Sequence, residues 1–169
     1  MVWQSKVPPR VAFFSWTVAS GKILTTNNLW KRHIVVVEWC FMCKRCRKSV
    51  DHLLLHCPIA YELWSMVFYL FGIHWVMPYK VSEVLSSWQG KLGRHRNIGL
   101  WRFVPYCLFW WWWQERNARC FENCEQSILD IKLFFFRTHL EWSLVLPSYS
   151  CFSLPDLIDR SNLSSWFVP

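Results

Sequence analysis

Cys40-Phe-Met-Cys43-Lys-Arg-Cys-Arg-Lys-Ser-Val-Asp-His52-Leu-Leu-Leu-His56-Cys57-Pro58 is the stretch whose reading decides the fold. A chain turn between Cys40 and Cys43 can aim both sulfurs at one point. His52 and Cys57 can then close a four-coordinate shell of N and S donors, the set that Zn²⁺ prefers. The spacing, C-x2-C-x8-H-x4-C, makes Cys40, Cys43, His52 and Cys57 the primary ligand set. Two residues offer variants. His56 lies four after His52, so on a helix the two share a face and would complete a two-Cys, two-His site. Cys46 offers a third arrangement. Choosing Cys57 over His56 requires the helix to end or restart between His52 and Cys57, and Pro58 supplies a reason for a restart.

Composition bounds what surrounds that loop. The chain has 169 residues, 53% of them hydrophobic, with 14 Trp and 13 Phe. Ring surface on that scale needs a core or a partner to cover it. The formal charge of +8 is uneven. Residues 1–57 hold nine Lys/Arg against Glu38 and Asp51, whereas the remainder is nearly neutral. Such a field favours polyanions, with nucleic acid, RNA or DNA, as the leading partner. Lys44, Arg45, Arg47 and Lys48, crowded around the metal loop, are the candidate phosphate contacts.

Four of the eight cysteines fall within residues 40–57, and the rest are scattered among apolar neighbours. That pattern fits a metal site in a reducing compartment, so the expected location is intracellular, nucleus or cytoplasm, and not secreted. Lys6 and Arg10 before Val11–Val18 loosely mimic a signal peptide. However, Pro8-Pro9 precede the apolar run and Ser15-Trp16-Thr17 interrupt it. Residues 63–79 carry no formal charge but contain Gly72, His74 and Pro78 and fall short of the roughly 20 apolar residues a membrane span needs. A buried helix ending near Gly72, with no membrane association, is the expectation.

The fold class expected is mainly α: a helical domain with a small zinc-stapled loop near the N-terminal end. Pro8-Pro9 start a helix whose Val11, Phe14 and Val18 share a face, with Gly21 as its stop. Leu29-Trp30 suggest a second short helix, and Val35–Val37 a short strand. Ile59–Phe71 read as an apolar helix, and 77–97 as a connection around one short helix. Leu100–Phe121 and Ser127–Leu146 read as two long helices that pack together, Pro105 kinking the first or marking its start. The domain division is therefore a zinc-binding module at 1–75, a connecting segment at 76–99, an aromatic helical pair at 100–146 and a loosely ordered tail at 147–169. Of the four tryptophans at 110–113, at least one should be exposed unless the helix is packed on both sides. Glu115 and Arg119 read as a solvated i,i+4 pair, Arg116 and Asn117 as helix-face polar residues, and Asp51 as a helix cap or an outer partner that orients the His52 ring.

Trp3-Gln-Ser-Lys-Val-Pro-Pro-Arg-Val-Ala-Phe-Phe-Ser-Trp16, Leu29-Trp-Lys-Arg32, Cys40-x2-Cys43, His52-Leu53 and Cys57-Pro58, in that order, resemble the zinc-binding domain of reverse transcriptases. This module lies C-terminal to the polymerase in plant LINE-type (non-LTR) retrotransposons. Trp101 and Trp113-Gln-Glu-Arg-Asn117-x3-Phe121 resemble the segment that often follows it. The resemblance implies Zn²⁺ bound by Cys40, Cys43, His52 and Cys57, settling Cys57 over His56, and a reverse transcriptase polymerase domain as a further partner. Where the family often has an acidic residue shortly before the His, this chain has the basic Arg47-Lys48 pair.

No Tyr-x-Asp-Asp pattern, Ser/His/Asp arrangement or phosphate-cradling glycine loop occurs, so no enzyme activity and no small-molecule substrate are expected. The functional expectation is a non-catalytic zinc-binding module derived from a retrotransposon reverse transcriptase, binding nucleic acid through its basic N-terminal third. The alternatives are a zinc-stapled protein-interaction module and a nonfunctional retroelement remnant.

Overall fold

A computed structural model of the chain describes residues 7–25, 33, 39–45, 49–88 and 98–143. Among them run five α-helices: α1 (Pro9–Ala19), α2 (Pro58–Leu70), α3 (Val81–Trp88), α4 (Ile98–Asn117) and α5 (Ile128–Ser143). Two π-helical turns, His52–His56 and Ala118–Glu122, sit before α2 and after α4. The described residues contain no strand, and their Cys/His cluster lies near the N-terminal end, as the sequence predicts. The expected helix at Leu29-Trp30, the Val35–Val37 strand and the 147–169 tail fall outside the described residues.

Proline and glycine set the bounds of α1 and α2. Each begins on a proline, whose fixed φ suits a first turn and whose missing N–H would have had no partner there. Each ends in a left-handed glycine, Gly21 at φ +64° and Gly72 at φ +61°. Beyond each glycine the next N–H reaches back over the last turn, Lys22 to the Thr17 carbonyl and Ile73 to that of Phe68, both at 2.9 Å. Val11, Phe14 and Val18 are buried on one face of α1, and Leu63, Trp64, Met66 and Val67 are buried on α2. The apolar run at 63–79 is thus a core helix followed by a turn. No described helix is long and apolar enough to cross a membrane.

Of the two alternatives for Pro105, the helix start is ruled out, since α4 begins before it and runs through it. A proline has no N–H for the carbonyl four residues earlier, here that of Trp101. That carbonyl instead accepts the indole N–H of Trp88 at 2.9 Å. The two indoles stack with centroids 4.1 Å apart and planes 16° from parallel. Pro105 is therefore tolerated because a side chain from α3 takes the bond it cannot make.

The tryptophan run is packed from two sides, and none of the four rings is exposed. Phe14 of α1 contacts Trp110 and Trp113, each at 5.6 Å, while Trp111 contacts Phe134 of α5 at 6.1 Å. Glu62 of α2 and the buried Lys132 of α5 form a 2.7 Å ion pair. One hydrophobic core thereby joins residues from all five helices and from the cysteine loop.

The Trp88–Pro105 relation is testable by a double-mutant cycle followed by urea unfolding. Trp88→Phe should cost about 1–3 kcal/mol, because it strands a buried carbonyl. In a Pro105→Ala background the new Ala N–H takes that carbonyl, and the cost should fall by about 1 kcal/mol. Additive effects would contradict this account.

Candidate metal centre

Local backbone chemistry aims the four donors. The Cys40–Cys43 turn closes by Lys44 N–H to the Cys40 carbonyl at 2.7 Å and Cys40 N–H to the Arg45 carbonyl at 3.0 Å. Lys44 sits at φ +55°, the left-handed conformation that reverses the chain after the second cysteine. Ser49 then starts the next helical turn: its hydroxyl accepts the His52 N–H at 2.9 Å and its carbonyl the Leu53 N–H at 3.1 Å. Asp51 is a cap, as expected, but for a different helix: its Oδ1 accepts the Val81 N–H of α3 at 2.9 Å.

His52 and Cys57 are five residues apart, a separation that diverges on an α-helix. Here the turn widens to π geometry, with the Cys57 N–H donating to the His52 carbonyl at 2.6 Å. An i→i+5 bond stacks residues five apart over each other, which brings Cys57 beneath His52. Pro58 then restarts an α-helix with Cys57 as its N-cap.

The structure brings Cys40, Cys43, His52 and Cys57 together, with all four donor atoms within 4.8 Å of one another. Cys43 Sγ and His52 Nε2 are 3.6 Å apart. A tetrahedral Zn²⁺ with ordinary Zn–S and Zn–N bonds has ligand–ligand edges of roughly 3.5–3.8 Å. The donor set and its spacing therefore fit such an ion. Cys40 and Cys57 are fully buried, which suits a closed structural site. A hydrogen bond from Cys57 lowers the Cys40 pKa to about 3, and the same bond pushes Cys57 well above the thiol range. Burial raises Cys43. The hydrogen bond thus favours the thiolate form of Cys40, the form a metal requires.

His56 lies outside this cluster. Its Nε2 is 3.0 Å from the Tyr79 carbonyl, its ring lies 5.5 Å from that of Tyr79, and its side chain is exposed. Cys46, Arg47 and Lys48 fall outside the described residues. Lys44 and Arg45 are both exposed, and Lys44 Nζ is ion-paired with Glu125 at 2.9 Å. Glu125 is held below the usual carboxylate range, chiefly by that hydrogen bond. Cys107 is buried and its thiol pKa is raised by desolvation, so it packs as a small apolar group.

The C-terminal end of α4 overturns the expectation of solvated polar residues. Glu115 and Arg119 are buried, with Nε to Oε1 at 2.6 Å. Glu115 Oε1 also accepts the Gln126 N–H at 3.1 Å. Arg119 donates to the Met42 carbonyl in the cysteine loop at 3.3 Å, to Glu125 at 2.8 Å and to the Gln126 carbonyl at 3.2 Å. Lys44, Glu125, Arg119 and Glu115 thus form a chain of charges clasping the loop to the end of α4. A sequence signal existed: a helix apolar on all sides is buried, and its charges must then be paired.

Residues 1–64 match the family model described as zinc-binding in reverse transcriptase. A relative from Arabidopsis thaliana, named a ribonuclease H protein, is 32% identical over 66 residues, 39% of this chain and 11% of that protein. The chain thus spans about a tenth of the length of that relative. No solved structure matches the chain.

Removing Arg119 leaves Glu115 buried and unpaired. Arg119→Met should therefore cost about 3–5 kcal/mol in urea unfolding, whereas Lys44→Met, at an exposed pair, should change stability by no more than about 1 kcal/mol. Equal effects would contradict the division between buried clasp and solvated rim.

Proposed function

We propose that this chain is a non-catalytic, zinc-binding module of the reverse-transcriptase type, derived from a plant LINE-type retrotransposon, that binds nucleic acid through its basic N-terminal third. The observation that carries this reading is the convergence of three thiols and one imidazole within 4.8 Å, inside the stretch matched to a zinc-binding family. Cys40, Cys43, His52 and Cys57 hold the ion. Zn²⁺ supplies a structural cross-link there, fixing the loop before α2 to the turn that feeds it. The module occupies residues 1–75, and the aromatic helical pair at 100–146 docks against it. Thiolate ligands require a reducing, intracellular setting. The Arabidopsis relative supports the plant origin.

Charge and aromatic exposure support nucleic acid as the partner. Residues 1–37 contain no Asp or Glu, yet hold Lys6, Arg10, Lys22, Lys31 and Arg32. The outward face of α1 exposes Phe13 and Trp16, whose rings are 6.0 Å apart, with Lys22 Nζ 5.7 Å from the Trp16 ring. Exposed rings with a cation beside them, on a helix that carries no Asp or Glu, match what single strands use for stacking and phosphate contact. Arg45, Arg47 and Lys48 extend the positive field from the metal loop, while Lys44 reaches a phosphate only in exchange for Glu125.

Native mass spectrometry should find one zinc per chain, lost in Cys40→Ser and His52→Ala but retained in His56→Ala. Apo-protein alone in the wild type would end the metal assignment. For the partner, fluorescence anisotropy with single-stranded RNA and DNA oligonucleotides should show affinity falling steeply with salt. The combined Lys44, Arg45, Arg47 and Lys48→Gln variant should flatten that log–log slope by about 2–4, and Trp16→Ala should cost about 1–3 kcal/mol of binding. No binding by zinc-loaded protein at low salt would leave the protein-interaction reading instead.

A further inference from the structure

Arg116 is the buried charge that the fold so far leaves without an opposite. Its side chain is 4% exposed, although it belongs to a helix end that borders solvent. The guanidinium carbon lies 5.0 Å from the ring centroid of Trp113, 5.7 Å from Phe121 and 5.9 Å from Phe41. One of its nitrogens donates to Asn117 Oδ1 at 2.8 Å. Among the described residues no carboxylate forms an ion pair with it, unlike Arg119 one turn on, which has two. Ring faces attract a cation but do not neutralise it, and an uncompensated buried charge is costly.

The location of this charge supplies its opposite. Phe41 lies between Cys40 and Met42, inside the turn that carries two sulfurs of the cluster. The Phe41 ring that Arg116 faces at 5.9 Å is thus one residue from a sulfur of the cluster. Three thiolates, a neutral imidazole and a divalent ion sum to one negative charge. That charge is buried among Cys40, Cys57 and their apolar neighbours.

We propose that Arg116 is the counter-cation of the metal centre, a positioning residue whose aromatic box holds one positive charge against the loop of the tri-thiolate site. The proposal rests on the zinc assignment above. Arg119 complements it by holding the neighbouring Met42 carbonyl, so two arginines from one helix turn grip successive residues of the loop. The Cys40–Cys43 turn then draws its electrostatic balance from an arginine more than 70 residues on in sequence.

The test uses the full chain with Arg116→Met, which keeps apolar bulk, and Arg116→Lys, which keeps the charge. Zinc affinity is measured by chelator competition. Outer partners of metal ligands typically contribute 10–100-fold, so Arg116→Met should weaken binding by about that factor and Arg116→Lys should restore most of it. In the Co²⁺-loaded protein the tetrahedral ligand-field bands should persist in both variants. The sulfur-to-metal charge-transfer band should move to lower energy in Arg116→Met only, because loss of the cation raises the energy of the sulfur lone pairs. Alkylation of the zinc-loaded cysteines by iodoacetamide should be faster in that variant for the same reason.

Unchanged affinity, band position and alkylation rate in Arg116→Met would overturn the proposal while leaving the zinc site standing. Equal loss in the Met and Lys variants would also overturn it, by assigning Arg116 to packing. If Arg116→Met does not fold, the Lys variant decides: wild-type band position supports the counter-charge, and a shifted one refutes it. A wild-type chain that takes up no zinc would fail at the parent assignment, a separate and recognisable outcome.

Discussion

The bond from the Cys57 N–H to the His52 carbonyl, 2.6 Å long, governs the geometry around the sulfurs. With ordinary α spacing at this turn, Cys57 would face away from His52 and His56 would face with it. Widening the turn by one residue exchanges the two, turning Cys57 inward and leaving His56 to Tyr79. The local cost of a π turn is offset by neighbours that fix it from outside. Ser49 caps its start, Pro58 forces a fresh helix at its end, and the Trp64 indole holds the Leu54 carbonyl at 2.9 Å. Four side chains can meet at one point only because the backbone between two of them departs from the regular helix.

From that point the structure grows outward through charge and rings. The clasp from Glu115 through Arg119 to Met42 ties the cysteine loop to the end of α4, and α4 is in turn wrapped by α1 and α5. Buried ion pairs of this type specify position more than they stabilise, since desolvation cancels much of the attraction. The aromatic contacts stabilise instead, by burying large areas at low cost in side-chain entropy. The two devices divide the labour: polar groups choose the register and rings hold it.

How far the sequence foretold this depends on the range of each interaction. Cys40, Cys43, His52 and Cys57 could be picked out because their chemistry is rare and their spacing local. Helices α1 and α2 could be read because proline and glycine mark both ends. Asp51 could be called a cap, but its target, Val81, lies 30 residues on and no local pattern points there. Glu115 and Arg119 were misjudged because an i,i+4 pair looks the same in solvent and in a core. What distinguishes them is the ring content of their neighbours, the nearby turn at Gln126, and the Met42 carbonyl supplied by distant chain. Nor does any local pattern decide whether Pro105 starts the helix or sits inside it, because the group that excuses it is an indole from another helix.

The parallel indoles of Trp88 and Trp101 carry an optical consequence. Two chromophores at van der Waals separation and nearly parallel couple their excited states, so their transitions split and mix. Where the in-plane transition moments of the two indoles are rotated against one another, this coupling adds an exciton contribution to the circular dichroism at the long-wavelength edge of the peptide bands, overlying the helical signal. The same coupling offers a built-in reporter, because its amplitude vanishes as soon as α3 separates from α4.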